Sequence, residues 1–167
     1  MKKPTVYVDT NILSFLHYRG ADPVALAWRQ ATREWWDAER PFFKVFASRT
    51  VEVELEVGEY AAKQKALAEV CRLPYLPYST AVDQFADRLL AKGIIPQSKR
   101  DDAIQLAFAI VHRVDYLLSW NRAHLVNEQT QARLAHFGAA NGLRLPLLVS
   151  PYTIPQAALG QAIRRRD

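Results

Sequence analysis

The stretch Thr5-Val6-Tyr7-Val8-Asp9-Thr10-Asn11 decides the fold. The β-branched and aromatic residues from Thr5 to Val8 predict a short, buried strand. Thr10 and Asn11 are good helix-starting residues, and apolar residues at helical spacing follow them. Asp9 is therefore expected at the carboxyl end of a central strand, where open α/β sheets hold their binding sites. From the strand alone, capping of the next helix and membership of a site are equally good interpretations of Asp9.

Size and composition indicate one globular domain over residues 1–167, with a basic tail from about residue 160. Half of the 167 residues are apolar or aromatic and 23% are charged, which is ordinary globular composition. No apolar run approaches the roughly 18 residues that span a bilayer, and no signal-peptide pattern follows Met1, so we expect a cytoplasmic protein. The single cysteine, Cys71, excludes an internal disulfide and a multi-cysteine zinc site, and we expect it to pack within a helix.

The net charge of +5 permits contact with nucleic acid but does not demonstrate it. Much of the excess comes from Arg164, Arg165 and Arg166, which form either a solvated tail or a nucleic-acid contact. The chain has no P-loop and no glycine-rich dinucleotide motif. These absences argue against a nucleotide-binding α/β protein or a phosphatase.

Strands and helices alternate along the chain, which predicts an α/β sandwich with a mostly parallel sheet. The predicted strands cover residues 5–8, 43–47, 115–120 and 145–149. Asp22 followed by Pro23 predicts the start of a helix over residues 24–39. That helix carries Trp28, Trp35 and Trp36, which favour a core or subunit interface over a base-stacking surface.

Several helix boundaries are predicted from local signals. Thr80 with Asp83 and Ser98 with Asp101 match the capping-box pattern at helix starts. Asn141 and Gly142 predict the end of a helix over residues 128–140. A final helix is expected over residues 155–163.

Glu54 lies at an unexpected position on its predicted helix. With Val51 at 0° and 100° per residue, Leu55 falls at about 40° and Glu54 at about 300°, inside the apolar arc. The nearby Glu52, Glu56 and Glu59 cluster on what should be a solvated face. Glu54 is therefore expected to be paired, hydrogen-bonded or metal-bound, with an arginine partner as the plain structural alternative.

Two further acids, Asp101 and Asp102, fall in the first turn of an apolar, buried helix over residues 103–111. Capping explains Asp101 adequately, whereas Asp102 has a position from which it could turn over the sheet. Asp9, Glu54 and Asp102 could thus converge at one rim. Such a cluster suits Mg²⁺ or Mn²⁺, and the chemistry it supports is phosphodiester hydrolysis by metal-activated water.

Four segments resemble the motifs of PIN-domain proteins, in the same order and over residues 5–150. The first is Val6-Tyr7-Val8-Asp9-Thr10-Asn11, and the second runs from Ser48 to Leu55. The third is Asp102-Ala103-Ile104-Gln105-Leu106-Ala107-Phe108-Ala109. The fourth is Tyr116-Leu117-Leu118-Ser119-Trp120-Asn121-Arg122-Ala123-His124, in the version with Trp-Asn.

The resemblance implies a three-layer α/β/α fold and a Mg²⁺- or Mn²⁺-dependent ribonuclease site. Many such proteins resemble VapC-like toxins of bacterial toxin–antitoxin pairs, which implies an RNA substrate, a small antitoxin partner and a homodimer. Asp9, Glu54 and Asp102 would be metal ligands and, with Asn121, the catalytic set. Asn11, Asp101 and Ser119 would support and orient the carboxylates, and Arg122 and His124 would meet RNA phosphates.

Asn121 departs from the family pattern, which often has an aspartate at this position. An amide oxygen can ligate a metal or orient water, but the change removes one negative charge. The alternative function is therefore a PIN-like module that binds nucleic acid or protein with weak or no turnover.

Overall fold

The computed structural model describes residues 2–156. The basic tail lies outside the described residues, as does the expected final helix apart from Pro155 and Gln156, which are not helical. Between residues 2 and 156, no helix is both long and apolar enough to cross a membrane.

Four parallel strands form the central sheet in the order β2-β1-β3-β4. The strands are β1 (Thr5–Val8), β2 (Lys44–Phe46), β3 (Tyr116–Leu118) and β4 (Leu147–Val149). In the register of the sheet, Tyr7 on β1 pairs with Phe46 on β2 and with Leu117 on β3. Val6, Tyr7 and Val8 are fully buried, as expected for a parallel sheet covered on both faces.

Seven α-helices are found in the described part of the chain, with a π-helical turn, Trp35–Glu39, and a 3-10 turn, Arg40–Phe42, between α2 and β2. The helices are α1 (Thr10–Leu16), α2 (Pro23–Glu34), α3 (Arg49–Glu56), α4 (Lys63–Val70), α5 (Thr80–Ala91), α6 (Arg100–Val111) and α7 (Glu128–Asn141). Helix α1 contacts α2, α3 and α4, α3 contacts α4, and α5 packs along α6. The predicted α/β fold with a parallel sheet is confirmed.

The strand order creates a topological switch point between β1 and β3. The chain leaving β1 crosses to β2 on one side, whereas the chain leaving β3 crosses to β4 on the other. Because such crossovers are right-handed, the two connections cover opposite faces of the sheet, which gives the three layers. A crevice opens at the carboxyl ends of the strands at such a point. Asp9 follows β1 there, and Ser119 follows β3.

Local signals placed some helix ends correctly. Asp22 is the N-cap of α2, and its carboxylate accepts a hydrogen bond from the Ala25 N–H at 2.7 Å. Gly142 ends α7 in the left-handed conformation, with φ +62°, where glycine avoids a Cβ clash. Both positions were predicted from the sequence.

Both predicted capping boxes are wrong. Helix α5 begins at Thr80, which puts Ser79 at its N-cap, and α6 begins at Arg100 after Lys99. The carboxylate of Asp83 accepts hydrogen bonds from Tyr78 and from Arg100 of the next helix. An ion pair across two helices has therefore replaced the local cap.

Two of the three tryptophans on the predicted helix lie in the core. Trp35 and Trp36 are buried in the turn after α2, whereas Trp28 is partly buried and stacks on Trp120. The prediction that Cys71 packs within a helix is wrong. Cys71 is exposed because it lies one position beyond Val70, the last buried residue of α4.

Candidate functional site

Asp9 lies at the switch point, 6% exposed, and uses both carboxylate oxygens. Oδ1 accepts a hydrogen bond from the backbone N–H of Thr10 at 2.7 Å, so Asp9 is the N-cap of α1. Oδ2 accepts hydrogen bonds from Nδ2 of Asn11 at 2.7 Å and from Oγ of Ser119 at 2.5 Å. One carboxylate therefore begins a helix and also ties β1 to the loop after β3.

Asn11 and Ser119 hold that loop in place. Oδ1 of Asn11 accepts a hydrogen bond from the backbone N–H of Trp120 at 2.9 Å, and its Nδ2 donates to Oγ of Ser119 at 3.1 Å. Oγ of Ser119 also accepts from the backbone N–H of Asn121 at 2.9 Å. Asn11 and Ser119 both donate to Asp9, so they fix the orientation of its carboxylate.

Asn121 presents its amide nitrogen to Asp102. Its Nδ2 donates to Oδ1 of Asp102 at 2.9 Å, while its Oδ1 accepts from the backbone N–H of His124 at 3.0 Å. The second bond fixes the orientation of the amide. Asp102, on the first turn of α6, is thereby joined to the same loop as Asp9.

Glu54 on α3 is half-buried and reaches the site from the other direction. Its carboxylate accepts hydrogen bonds from Oγ1 of Thr10 and, at 2.9 Å, from Nε2 of Gln105. Among residues 2–156, no lysine, arginine or histidine forms an ion pair with Glu54. The alternative of an arginine partner is therefore wrong, and Glu54 is held by neutral donors.

An arginine pairs with Glu52, on the same helix as Glu54. Arg49 pairs with Glu52 at 2.5 Å, and the hydroxyl of Tyr75 donates to the same carboxylate at 2.9 Å. The Glu52 side chain is 16% exposed, so the expectation of a fully solvated acidic face is wrong at this residue. The cause is the segment around Tyr75, which pairs with the edge of the sheet at Ala47 and covers that side of α3.

A buried polar chain beneath the site was not predicted from the sequence. The hydroxyl of Tyr7 lies 2.7 Å from Oγ of Ser48 and donates to Oε1 of Gln105 at 2.6 Å. Gln105 in turn donates to Glu54. A single glutamine among the apolar residues of α6 is the signal that could have revealed this chain, because a buried amide needs partners.

Burial and mutual repulsion shape the charges of the site. Burial raises the pKa of Asp9 to about 6, against the hydrogen bonds from Ser119, Thr10 and Asn11, and the nearby charge of Asp102 raises it further. Burial also raises the pKa of Glu54, with repulsion from Asp9 and Asp101 adding to the effect. In the described part of the chain, Asp9, Glu54 and Asp102 have no cationic side chain as a partner. A bound positive charge would reduce the repulsion among these carboxylates.

The side chains of Asp9, Glu54, Asp102 and Asn121 carry carboxylate and amide oxygens, the type of ligand atom that hard divalent cations prefer. In the described range, however, no three His, Cys, Asp or Glu side chains form a group that could hold a metal ion. Asp9, Glu54 and Asp102 are each engaged by hydrogen bonds from neutral neighbours instead. Metal binding stays a prediction.

The remaining predicted residues lie around this centre. Asp101 is exposed and acts on Glu54 through its charge. Arg122 is exposed and His124 is half-buried, both in the loop that Asn121 begins. Their contact with RNA stays a prediction.

An aromatic stack supports the same loop. The rings of Trp28 and Trp120 lie 5.0 Å apart and within 5° of parallel, and Tyr152 meets Trp120 edge-on at 5.0 Å. Nε1 of Trp120 donates to Oγ1 of Thr32 at 2.9 Å. Trp120 thus anchors the segment between Ser119 and Asn121 to α2.

No protein-family model matches the chain, and no curated protein matches it in sequence. The fold is similar to one chain of the toxin–antitoxin complex from Klebsiella pneumoniae, with 20% identity and a TM-score of 0.56 over 89% of this chain and 99% of that one. FitAcB from Neisseria gonorrhoeae is 14% identical, with a TM-score of 0.48 over 89% of this chain and 99% of that one. VapBC2 from Rickettsia felis, bound to a DNA fragment from their promoter, is 13% identical, with a TM-score of 0.47 over 87% of this chain and 98% of that one. The chain therefore shares the fold of a chain in the Klebsiella pneumoniae complex.

Proposed function

We propose that the protein is a Mg²⁺- or Mn²⁺-dependent endoribonuclease. The observation that carries this proposal is that Asp9, Glu54 and Asp102 belong to one hydrogen-bonded network, joined through Thr10, Ser119 and Asn121. No cationic side chain among the described residues pairs with these three carboxylates. An acidic network of this kind repels an RNA phosphate unless a cation intervenes. Three of the four motif-like segments supply these carboxylates, and the fourth supplies Ser119 and Asn121, which supports the same conclusion.

Asp9, Glu54 and Asp102 would hold the metal. Their carboxylates now accept hydrogen bonds from Ser119, Thr10 and Asn121, and metal binding would replace some of these bonds and keep others. The bound ion supplies activation of a water molecule and stabilisation of charge on the phosphate. Asn11 and Ser119 fix the orientation of Asp9, and Gln105 fixes that of Glu54. Asn121 would orient the water or contribute an oxygen ligand once its amide turned, because its oxygen now accepts from the His124 N–H and its nitrogen faces Asp102. Arg122 and His124 would contact phosphates of the RNA.

As part of the same proposal, the protein is the toxin of a toxin–antitoxin pair, acts in the cytoplasm, forms a homodimer and is inhibited by a small antitoxin. The support is the resemblance of its motifs to those of VapC-like proteins and a fold similar to that of a chain in a toxin–antitoxin complex. Co-purification with the product of a short neighbouring reading frame would test the antitoxin partner.

The test compares purified protein, stripped with EDTA, with its Asp9→Asn variant. We expect calorimetric titration to show Mn²⁺ binding that Asp9→Asn removes, and RNA cleavage with Mg²⁺ or Mn²⁺ to fall by roughly 100-fold or more, since metal stabilisation amounts to several kcal/mol. Asp22→Asn is the matched control, because Asp22 is also a helix N-cap and lies on α2. It should retain both metal binding and cleavage.

The binding module is the second candidate, favoured by the amide at Asn121 and by the lack of a three-member metal group in residues 2–156. RNA binding without Mn²⁺ binding or cleavage would support it and contradict the nuclease.

A further inference from the structure

A second polar cavity lies at the amino ends of β1 and β3, the end of the sheet opposite Asp9. Its volume is about 660 Å³, within the range of sites that hold small ligands. We define the basic cleft by the residues Lys2, Lys3, His112, Arg113, Asp115 and Arg144. Nothing in the proposed nuclease site uses this cleft.

The charges of the basic cleft do not cancel. Lys2, Lys3, Arg113 and Arg144 carry four positive charges against the single carboxylate of Asp115. That carboxylate is already engaged, since it accepts hydrogen bonds from Arg144 and from the N–H and hydroxyl of Thr5 at 2.8 Å each. Within the described chain, Lys2 and Arg113 form no ion pair. The cleft is therefore an electropositive cavity suited to an anion.

Arg113 ends α6 in the left-handed conformation: its backbone N–H donates to the carbonyl of Ile110 at 3.0 Å, and that of Val114 donates to the carbonyl of Ala109 at 3.1 Å. The φ of Arg113, 53°, is the only positive value at a non-glycine residue among residues 2–156. Helices α5 and α7 end with Gly93 and Gly142 in this same conformation, at φ +65° and +62°. At the end of α6 a glycine would serve the backbone better, because a Cβ is disfavoured at positive φ.

The side chain of Arg113 is exposed and forms no ion pair among the residues described. Residues kept in a disfavoured conformation are concentrated at functional sites. We therefore infer that position 113 holds an arginine because its positive charge is needed there.

Two aromatic side chains contribute to the wall of the cleft. Phe46 on β2 and Tyr116 on β3 are half-buried aromatic residues that line it. Aromatic faces next to cations suit a nucleobase next to a phosphate. A simple inorganic anion would use only the cations.

We propose that the basic cleft binds the phosphate of a nucleotide, either free or within a single strand of RNA, with Arg113 and Lys2 as the phosphate contacts. The site is separate from the proposed nuclease centre, and binding there needs no metal.

The test measures binding by fluorescence anisotropy in EDTA, which prevents metal-dependent cleavage. The probes are a fluorescein-labelled ten-nucleotide oligouridylate RNA and fluorescein-labelled AMP. For at least one probe, we expect binding that weakens as salt rises and that Arg113→Gly reduces about tenfold or more. Arg113→Gly should also raise the melting temperature by about 2–4 °C, because the strain at positive φ is removed.

Two further variants separate charge from backbone effects. Arg113→Lys keeps the cation and should retain most of the binding. Arg72→Gly removes an exposed arginine just beyond α4, and should leave binding unchanged. A variant that is more stable yet binds less is not what a purely structural role of Arg113 would give.

The probes distinguish the source of the phosphate. Loss of binding for both probes in Arg113→Gly supports a single-nucleotide site, and loss for the RNA alone supports a strand. The proposal is overturned if neither probe binds, or if Arg113→Gly and Arg72→Gly weaken binding equally. None of these outcomes depends on RNA cleavage.

Discussion

The hydroxyl of Tyr7 donates a hydrogen bond of 2.6 Å to Oε1 of Gln105. Because this bond fixes which end of the amide is the acceptor, Nε2 of Gln105 must point the other way, toward Glu54 at 2.9 Å. A fully buried residue of the central strand therefore sets the orientation of a carboxylate on α3. Core and site are connected through one amide.

Tyr7→Phe tests this connection. The change leaves the buried acceptor of Gln105 and the hydroxyl of Ser48 without their partner, so we expect a loss of about 1–3 kcal/mol in the free energy of unfolding. Gln105 would then be free to turn, and Mn²⁺ affinity should fall by about 10- to 100-fold, as for other groups that orient ligands. Urea unfolding and calorimetric titration measure the two effects.

Tyr75→Phe is the control for Tyr7→Phe. It also removes a phenol hydroxyl that donates a side-chain hydrogen bond, in this case to the carboxylate of Glu52 at 2.9 Å. Mn²⁺ affinity should be unchanged in Tyr75→Phe. Equal affinity in the two variants would contradict the role of Tyr7.

The metal-free protein should lose stability as the pH rises from about 4 to about 6. The pKa of Asp9 is raised by burial from 3.8 to about 6, so the folded state binds more protons than the unfolded state within this window. The free energy of unfolding therefore falls with rising pH, by up to about 3 kcal/mol from this group. Asp9→Asn should remove this fall, as measured by urea unfolding in EDTA.

Asp115 gives the opposite sign and serves as a control. Although burial raises its pKa, hydrogen bonds from Thr5 and the charge of Arg144 hold that pKa below the usual value. Ionised Asp115 thus adds stability that is lost as the pH falls, and Asp115→Asn should remove that contribution. A pH profile that is the same in Asp9→Asn and in the unmodified protein would contradict the prediction.

Features set by neighbouring residues were predictable from the sequence. The strand from Thr5 to Val8 and the end of α7 at Gly142 depend on local conformation, and both were predicted. The inward position of Glu54 follows from helical geometry alone. The capping box at Asp83 failed because Arg100, on a different helix, took its carboxylate.

The interior of the site was not predictable in the same way. The contact between Tyr7 and Gln105 joins residues 98 positions apart, and the bond from Asn121 to Asp102 depends on how α6 lies over the sheet. No local pattern encodes these distances. The positions of the acids in the sequence predicted that they would lie at one edge of the sheet. The neutral side chains that hydrogen-bond to them come from other elements, so the three-dimensional structure was needed to identify them.

Trp120→Phe should destabilise the protein more than Trp35→Phe does. Both indoles are 3% exposed, but Nε1 of Trp120 donates to Thr32 at 2.9 Å, whereas Nε1 of Trp35 is buried without a partner in the described structure. The bonded N–H adds about 1–2 kcal/mol to the cost of removing Trp120. RNA cleavage should also fall only in Trp120→Phe, because that residue holds the loop of Ser119 and Asn121. Thermal unfolding and cleavage assays measure both, and an equal or larger cost for Trp35→Phe would contradict this assignment.

Asn121→Asp should have opposite effects in metal-free and metal-bound protein. The change replaces the amide that donates to Asp102 at 2.9 Å with a second carboxylate. Without metal, the lost bond and the new repulsion should lower the free energy of unfolding at neutral pH by about 1–3 kcal/mol.

With saturating Mn²⁺, the added oxygen and charge of Asn121→Asp should strengthen metal binding and recover that stability. Urea unfolding with EDTA and with Mn²⁺ gives the comparison. Asn127→Asp is the matched control, because Asn127 caps α7 in the same loop region and an aspartate can serve the same role. A loss of stability that Mn²⁺ does not restore in Asn121→Asp would mean that Asp102 and residue 121 do not share a metal, which would favour the binding module over the nuclease.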